Sequence, residues 1–434
     1  MYRIIADNKE INATNLSEWL VEYKNLILPK RKLLGDYYDG KNEIIKQNAV
    51  QGRPNYSINV NMAKYITDVA TGYTFGKPLT YSISKEEGKK ALENLALVNS
   101  ENYAEELDYH IGGDMSAYGV GYQLVYPDKN SKTGVKYKRL EPLRTFMVTD
   151  NSIEENVFCA IYFHDYIENK QCKTRVYLWD EENVYTFDGF SNSFSLSTKT
   201  KHLMGQIPVI ESLNNDDAFG DFQMVLDLLD SLNLMISNNT DDLQSVSNAI
   251  LAVNGGKLGE EEIKQINKYK VANLPTGANM QWVIKNTNTE GVLGQIKYLL
   301  NFIFQISMVP DLSDDAFAGN LSGVAMQFKM WGIDQLWTSK IRKYKTSINK
   351  RIKMTLRILG INEALANDIQ VNFYRNLPEN MAQDYEIAKN LSGVISLKTL
   401  LKNLSIVQDA EEEYKLIKEE KQNNQPDQPN PQTP

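Results

Sequence analysis

The sequence predicts an α+β protein in which helices predominate. Apolar residues recur three and four positions apart before about Gly119 and again from Asp216 onwards, which is the period of a helix with one buried face. Between these regions, segments such as "VFCAIYFHDY" are rich in Val, Tyr and Phe and are separated by turn residues. Strands grouped between helical regions, rather than alternating with helices, indicate the α+β class.

The N-terminal third is predicted to hold three helical regions. The first runs from Leu16 to about Gln47, the second from Asn59 to Tyr73, and the third from Glu86 to Tyr118. Glycine and proline residues follow the second region and end it. An antiparallel β region is then expected over about Gly119–Leu213, because short runs of β-branched and aromatic residues follow one another with turns between them.

The C-terminal half is predicted to be mainly helical. Helical spacing continues from Asp216 to Val253, and a second apolar helix covers about Glu290–Val309, where Pro310 ends it. The remaining predicted elements are a short strand pair within "YKVANLPTGANMQWVIK", a long helix to about Leu359, one strand within "DIQVNFYRNLPEN", and short helices over Met381–Glu420. The Pro-, Gln- and Asn-rich end is expected to be disordered.

Composition restricts the classes of protein that fit. The chain has 434 residues, 42% of them hydrophobic, which predicts a folded protein of two or three domains. Its two cysteines imply no disulfide framework, so a reducing compartment fits. The longest apolar stretch, Tyr298–Val309, is shorter than the ~20 residues that cross a bilayer. No membrane segment is therefore expected.

Charge is divided unevenly along the C-terminal half. The stretch from 203 to 256 has no Lys or Arg, and its acidic residues are Glu211, Asp216, Asp217, Asp221, Asp227, Asp230, Asp241 and Asp242. The stretch from 329 to 357 has nine basic residues and one acidic residue, Asp334. Each stretch taken alone fits a solvated helix face. Together they suit a protein that lets DNA pass, because a long acidic helix repels phosphate. For the basic helix we favour a structural role that bridges subunits.

No catalytic, cofactor or metal site is predicted. The three histidines lie far apart, and Cys159 and Cys172 lack the spacing of metal ligands. The pairs Asp216–Asp217 and Asp241–Asp242 could serve a metal-dependent DNA-processing enzyme, which remains the alternative. Neighbouring residues on a helix point about 100° apart, so neither pair focuses both carboxylates on one ion.

Four segments in order resemble portal proteins of tailed bacteriophages with long non-contractile tails. They are "RPNYSINVNMAKYITDVATGYTFGKPLTYS" (Arg53–Ser82), "GDMSAYGVGYQLVYPD" (Gly113–Asp128), "VPDLSDDAFAGNLSGVAMQFKMWGIDQL" (Val309–Leu336) and "FYRNLPENMAQD" (Phe373–Asp384). None of the four is a catalytic signature. The resemblance implies a non-enzymatic protein without cofactors that forms a dodecameric ring at one capsid vertex. Another head–tail adaptor is a further alternative.

The resemblance also implies partners and a location. Double-stranded DNA would pass through the ring during packaging and ejection. The terminase large subunit, major capsid and scaffolding proteins, and head-completion or tail adaptor proteins would bind the ring. The chain would be assembled in the host cytoplasm and would remain in the virion at the portal vertex, without contacting a membrane.

By likeness to the family, the chain divides into named parts. The predicted order is wing (1–215), first stem helix (216–253), clip (254–289), second stem helix (290–310), tunnel loop (311–322), long wing helix with return strand (323–378), crown (379–420) and disordered tail (421–434). Terminase would dock on the clip. The tunnel loop would project into the channel.

The predicted site residues fall into three groups. The tunnel loop supplies Asp311, Ser313, Asp314, Asp315, Ala316, Phe317, Ala318, Gly319 and Asn320. The acidic stem supplies Asp227, Asp230, Asp241 and Asp242, and the clip supplies Lys257, Glu260, Glu261, Lys264, Lys268 and Trp282. Small residues would keep the loop slim and acidic residues would keep it from gripping phosphate. Phe317 is expected to pack against a helix or a neighbouring loop.

Overall fold

A computed structural model describes most of the chain. The described residues are 2–44, 55–83, 85, 88–190, 192–246, 250–254, 259–261, 264, 277, 279–283, 289–313, 323–377, 386, 388–402, 404, 407 and 410–423. The fold is mixed α and β with helices predominating, which confirms the predicted class.

The N-terminal region begins with a short strand and continues as helix. Strand β1 (Ile4–Ala6) is followed by α1 (Ala13–Glu22), a π-helical turn (Tyr23–Ile27) and α2 (Leu28–Tyr38). The π turn ends two residues before Pro29, which has no N–H to donate to the preceding turn. The first helical region therefore ends near residue 39. Its predicted end at Gln47 lies outside the described residues.

Three further helices precede the main β region. Helix α3 (Met62–Phe75) leads to β2 (Thr80–Ile83), and α4 (Lys89–Glu101) is followed by α5 (Ala104–Tyr118). The single helical region predicted over Glu86–Tyr118 is thus two helices. The break falls at Tyr103, whose φ of 48° lies in the left-handed region and cannot continue a right-handed helix.

The β region matches its predicted bounds. Its strands are β3 (Val120–Pro127), β4 (Val135–Leu140), β5 (Thr145–Asp150), β6 (Val157–Glu168), β7 (Gln171–Trp179), β8 (Asn183–Phe190), β9 (Ser193–Lys201) and β10 (Val209–Leu213). Together with β1, these strands form two sheets. One has six strands in the order β1-β5-β6-β7-β8-β9, and the other has three in the order β10-β3-β4. Within these two sheets β1 pairs in parallel with β5, and the other pairings are antiparallel. Helix α1 covers one face of the large sheet, and the small sheet packs on part of the other.

The C-terminal half contains the longest helices. The helices and strands of this half are, in order, α6 (Leu226–Val246), β11 (Ile250–Asn254), β12 (Asn279–Val283), α7 (Thr289–Ser307), α8 (Gly323–Ile358), β13 (Ile369–Asn372), α9 (Leu397–Lys402) and α10 (Ala410–Asn423). Strand β13 pairs with β2, and so ties the return segment after α8 to the N-terminal region.

Three predicted boundaries in this half are wrong. The first long helix was predicted to span 216–253, but α6 begins at Leu226 and ends at Val246. Residues Ile250–Asn254 form a strand that pairs antiparallel with Asn279–Val283. The predicted disordered tail from residue 421 also begins too early, since α10 continues to Asn423.

Candidate functional site

Helices α6 and α7 pack against each other and form the centre of the candidate site. Leu229 and Leu232 of α6 share one apolar cluster with Ile303 of α7. The same cluster holds Phe222, which precedes α6, and Val309, which follows α7. The start of α6 therefore lies beside the end of α7.

The predicted acidic stem residues have different surroundings. Asp230 accepts a hydrogen bond from the Tyr37 hydroxyl at 2.7 Å, and burial together with this carboxylate raises the pKa of Tyr37 well above its ordinary value. Asp241 accepts from the backbone N–H of Tyr56 at 2.7 Å. Asp227 is exposed, and Asp242 also has an interaction partner. At least two of the four carboxylates therefore position other parts of the same subunit.

An extended segment, Tyr56–Val60, lies along α6, and we call it the strap. Its backbone N–H groups at residues 56, 58 and 60 donate to Asp241, Ser237 and Asn233 at 2.7, 2.9 and 3.0 Å. The three acceptors are four residues apart and so lie on one face of the helix. Sequence reasoning missed this contact. The available signal was a polar residue at every fourth position of the helix, at Asn233, Ser237 and Asp241.

The N-terminal end of the predicted tunnel loop, Pro310–Ser313, is held by Tyr65 of α3, and we call this end the first foot of the loop. The Tyr65 hydroxyl donates to the Pro310 carbonyl at 2.9 Å and accepts from the Leu312 N–H at 3.0 Å. Helix α7 ends at Ser307, three residues before Pro310, and Met308 has a φ of 58°. A Cβ added to Gly332 of α8 would lie 3.1 Å from the Met308 carbonyl oxygen, so α8 packs closely on this foot.

Only the start of the predicted tunnel loop is described. Asp311 accepts from the Ser313 N–H at 2.9 Å and so tightens the turn at the foot. The other predicted loop residues, Asp314, Asp315, Ala316, Phe317, Ala318, Gly319 and Asn320, lie outside the described residues.

The predicted clip is described in part. Strands β11 and β12 pair antiparallel and place Trp282 opposite Leu251. Glu260, Glu261 and Lys264 are exposed. Lys257 and Lys268 lie outside the described residues.

The long helix α8 uses much of its positive charge inside the subunit. Lys340 is fully buried and donates to Asp221, just before α6, and to Ser116 of α5. Asp221 also accepts from the Asn214 amide at 2.8 Å. Burial lowers the pKa of the Lys340 ammonium, and Asp221 opposes that shift. This pair joins α8 to the root of α6.

A second buried ion pair lies eleven residues further along the same face of α8. Arg351 donates to both oxygens of Asp108 at 2.5 and 3.0 Å, and the Tyr344 hydroxyl donates to the same carboxylate at 2.5 Å. Burial alone would lower the pKa of Arg351, but Asp108 holds it well above its ordinary value. Lys343 pairs with Asp216. Lys340 and Arg351 therefore cannot bridge subunits, which corrects the role expected for the whole basic helix.

Other basic residues of α8 face outwards. Arg342, Lys345 and Lys350 are exposed, and none makes an ion pair with another described residue. The basic residues of α8 therefore fall into two groups. One part neutralises buried carboxylates, and the other part remains available at the surface.

The alternative based on metal chemistry finds no support in the described part of the chain. There, no group of three His, Cys, Asp or Glu side chains comes together as metal ligands would. Asp216 is engaged by Lys343, and Asp241 by the strap. Within the same residues, no helix combines the length and apolar character needed to cross a bilayer.

Comparisons with known proteins agree with the resemblance seen in the sequence. Residues 18–427 match the family model described as "Phage portal protein, SPP1 Gp6-like". The chain is 26% identical over 424 residues to the portal protein of Clostridium phage phiCD119, covering 89% of this chain and 91% of that relative. It is 19% identical over 411 residues to the portal protein of Bacillus phage SPP1, covering 88% and 79%. Since the family model matches nearly the whole chain, this protein belongs to the SPP1 Gp6-like family of phage portal proteins.

Proposed function

We propose that twelve copies of this portal protein form a ring at one capsid vertex, through which double-stranded DNA enters during packaging and leaves at infection. The observation that carries the proposal is the family match over residues 18–427. In this proposal the chain has no catalytic activity and needs no cofactor. The phage would have a long non-contractile tail, and the protein would remain in the virion after assembly in the host cytoplasm.

The proposed parts of the subunit follow the observed elements. Helices α6 and α7 are the stem, and the β11–β12 pair with Glu260, Glu261 and Lys264 belongs to the clip, where the terminase large subunit docks and head-completion or tail adaptor proteins follow. The segment 311–322 is the tunnel loop. The β region and α8 belong to the wing, which meets major capsid and scaffolding proteins, and the helices after residue 379 form the crown.

The electrostatics of the subunit support passage of DNA without tight binding. Asp227 is exposed on α6 and makes no ion pair with another described residue. Several cations of α8 are held by carboxylates of the same subunit. A surface of repeated carboxylates releases no counterions from DNA, so its affinity for the phosphate backbone is low.

The first experiment is electron microscopy of the purified chain with class averaging, together with an ATPase assay. Rings with a central opening and no ATP turnover are expected. A protein that stays monomeric at high concentration would refute the proposal.

The second experiment tests the tunnel loop. Asp314→Lys with Asp315→Lys should leave rings intact but slow DNA packaging, because cations in the channel would bind phosphate. A matched control is Glu181→Lys with Glu182→Lys, two exposed acidic residues in the turn between β7 and β8. Packaging at the normal rate by the loop variant would show that those side chains do not meet DNA.

A further inference from the structure

Arg31 of α2 is a buried cation whose direct partners are all neutral. The residue is only 4% exposed. Its guanidinium donates to two hydroxyls, those of Tyr23 and Tyr122, and to three backbone carbonyls, those of Tyr2, Pro142 and Thr145. Within the described part of the chain it contacts no carboxylate. Charged side chains are rarely buried without an opposite charge, because an unpaired charge in the interior is strongly destabilising.

The hydrogen bonds of Arg31 lead to a carboxylate only through Tyr122. The Tyr122 hydroxyl accepts from Arg31 at 3.0 Å and donates to Glu211 at 3.2 Å. Glu211 is itself paired with Arg3. The two guanidinium groups therefore share one carboxylate, and this network keeps a net positive charge.

The Arg31 guanidinium has unused donors along one edge. Its Nη1 donates to the carbonyls of Pro142 and Thr145 at 2.6 and 2.8 Å. Its Nη2 donates to Tyr122, and its other contact is a long one, 3.4 Å to the Tyr2 carbonyl. Its Nε donates to no group among the described residues. Nε and Nη2 form an edge with which arginine binds two oxygens of a carboxylate or a phosphate.

Arg31 also lines a cleft between α2, the start of β3 and the segment that leads to α6. The cleft has a volume of about 80 Å³, which is room for several water molecules, since one needs ~10–15 Å³. The polar residues that line it are Tyr2, Lys30, Arg31, Tyr118, Asp217 and Gln223. The charged groups of the lining are therefore two cations and one carboxylate.

We propose that this cleft binds a small free oxyanion, a phosphate or a carboxylate, through the Nε–Nη2 edge of Arg31. Two oxygens of the ligand accept from Nε and Nη2, and Lys30 adds a second cation. The ligand supplies the negative charge that the Arg31 network lacks. It also joins α2 to the segment that leads to α6, because both line the cleft. The inference does not depend on the proposed ring.

An oxyanion fits the cleft better than water or a neutral molecule does. Either of those would satisfy hydrogen bonds but would leave the charge of Arg31 uncompensated. Asp217 lines the same cleft, but it is exposed and makes no ion pair with Arg31 or another described residue. An oxyanion matches both the charge and the forked geometry of the free edge, which is why we assign the cleft to this class of ligand.

Phosphorus NMR of inorganic phosphate tests the site directly. At constant ionic strength, the phosphate line should broaden in the presence of the full chain and sharpen again as acetate is added, because acetate competes for the same edge. Saturation at one phosphate per chain is expected, with a Kd of roughly 1 mM. A line width that the chain leaves unchanged would overturn the inference. So would equal competition by acetate and by chloride, since chloride has no pair of oxygens to offer.

A conservative change of Arg31 tests the forked contact. Arg31→Lys keeps the charge but loses the planar fork, so it should weaken phosphate binding about tenfold or more. Circular dichroism shows whether this variant keeps its fold. Unchanged phosphate binding in Arg31→Lys would overturn the assignment of the ligand to Arg31.

Two exposed residues of the lining test the site without altering the core. Lys30→Gln should weaken phosphate binding and Asp217→Asn should strengthen it, each about two- to threefold, because the first removes a cation and the second an anion. Tighter binding in Asp217→Asn is a result that a damaged fold does not produce. Lys32→Gln is the matched control, at an exposed position of α2 outside the cleft, and should bind phosphate like the unaltered chain. Equal losses in Lys30→Gln and Lys32→Gln would show general attraction to surface charge and would overturn the inference.

Discussion

Removing the Lys340 ammonium should strongly destabilise the subunit. In Lys340→Met the buried carboxylate of Asp221 would keep its hydrogen bond from Asn214 but lose the buried ammonium with which it pairs. Breaking a buried ion pair by removing one partner costs about 3–5 kcal/mol. We therefore expect the free energy of unfolding to fall by that amount.

A double-mutant cycle shows whether the cost arises from the unpaired charge. Asp221→Asn should be similarly destabilising, because it leaves Lys340 buried without a counterion. The double variant Lys340→Met with Asp221→Asn should cost at least 2 kcal/mol less than the sum of the two single changes, since no charge is then left unpaired. Lys138→Met, at an exposed position of β4, is the control and should stay within about 0.5 kcal/mol.

The assay is denaturant unfolding of the dissociated chain, followed by circular dichroism and by tryptophan fluorescence. The two signals must coincide for a single free energy to be meaningful. A loss below about 1 kcal/mol for Lys340→Met, or costs that simply add in the double variant, would refute the view that this pair holds α8 to the root of α6.

Three further changes have definite expected results. Gly119→Ala should cost roughly 3 kcal/mol or more in a thermal melt, because φ is +79° and the new Cβ would lie 1.9 Å from a backbone oxygen, whereas Gly113→Ala on open helix surface should be neutral or stabilising. Tyr65→Phe should speed amide hydrogen exchange at the first foot of the tunnel loop, while Tyr126→Phe should not. Burial raises the pKa of Tyr137 from 10.0 to about 12, so this residue alone should make stability fall by about 1.4 kcal/mol per pH unit between pH 10 and pH 12, in addition to the contributions of other buried tyrosines. That slope should become shallower in Tyr137→Phe, and an equal slope would contradict the assignment.

The spacing of apolar residues was sufficient to predict those helices and strands that bury one face. The β region was predicted over about Gly119–Leu213 and is observed over Val120–Leu213. The same signal located α7 and α8 to within a few residues. It failed at Ile250–Asn254, because apolar residues there also fit helical spacing. Pairing with Asn279–Val283, some 25 residues further along the chain, decides the strand, and a local pattern cannot contain that information.

Charge counting was less informative than spacing. A count of basic residues along α8 treats them all alike. In the structure Lys340 and Arg351 are buried, whereas Arg342, Lys345 and Lys350 are exposed. Their partners, such as Asp108 and Asp221, are more than a hundred residues away. Which charges remain available at the surface is therefore a property of tertiary packing, and no window along the sequence reveals it.

The strap on α6 has a length that follows from its geometry. Alternate residues of an extended chain advance about 6.8 Å, while four residues of a helix advance about 6.0 Å. Each further contact is therefore out of step by about 0.8 Å, which is more than the ~0.5 Å range of ordinary hydrogen-bond lengths, so the acceptor side chains must take up the difference. With three contacts centred on Ile58 the outer two are about 0.8 Å out of register, and a fourth would be about 1.6 Å out of register. A helix can hold an extended chain in this way for only about five residues before the chain must leave it.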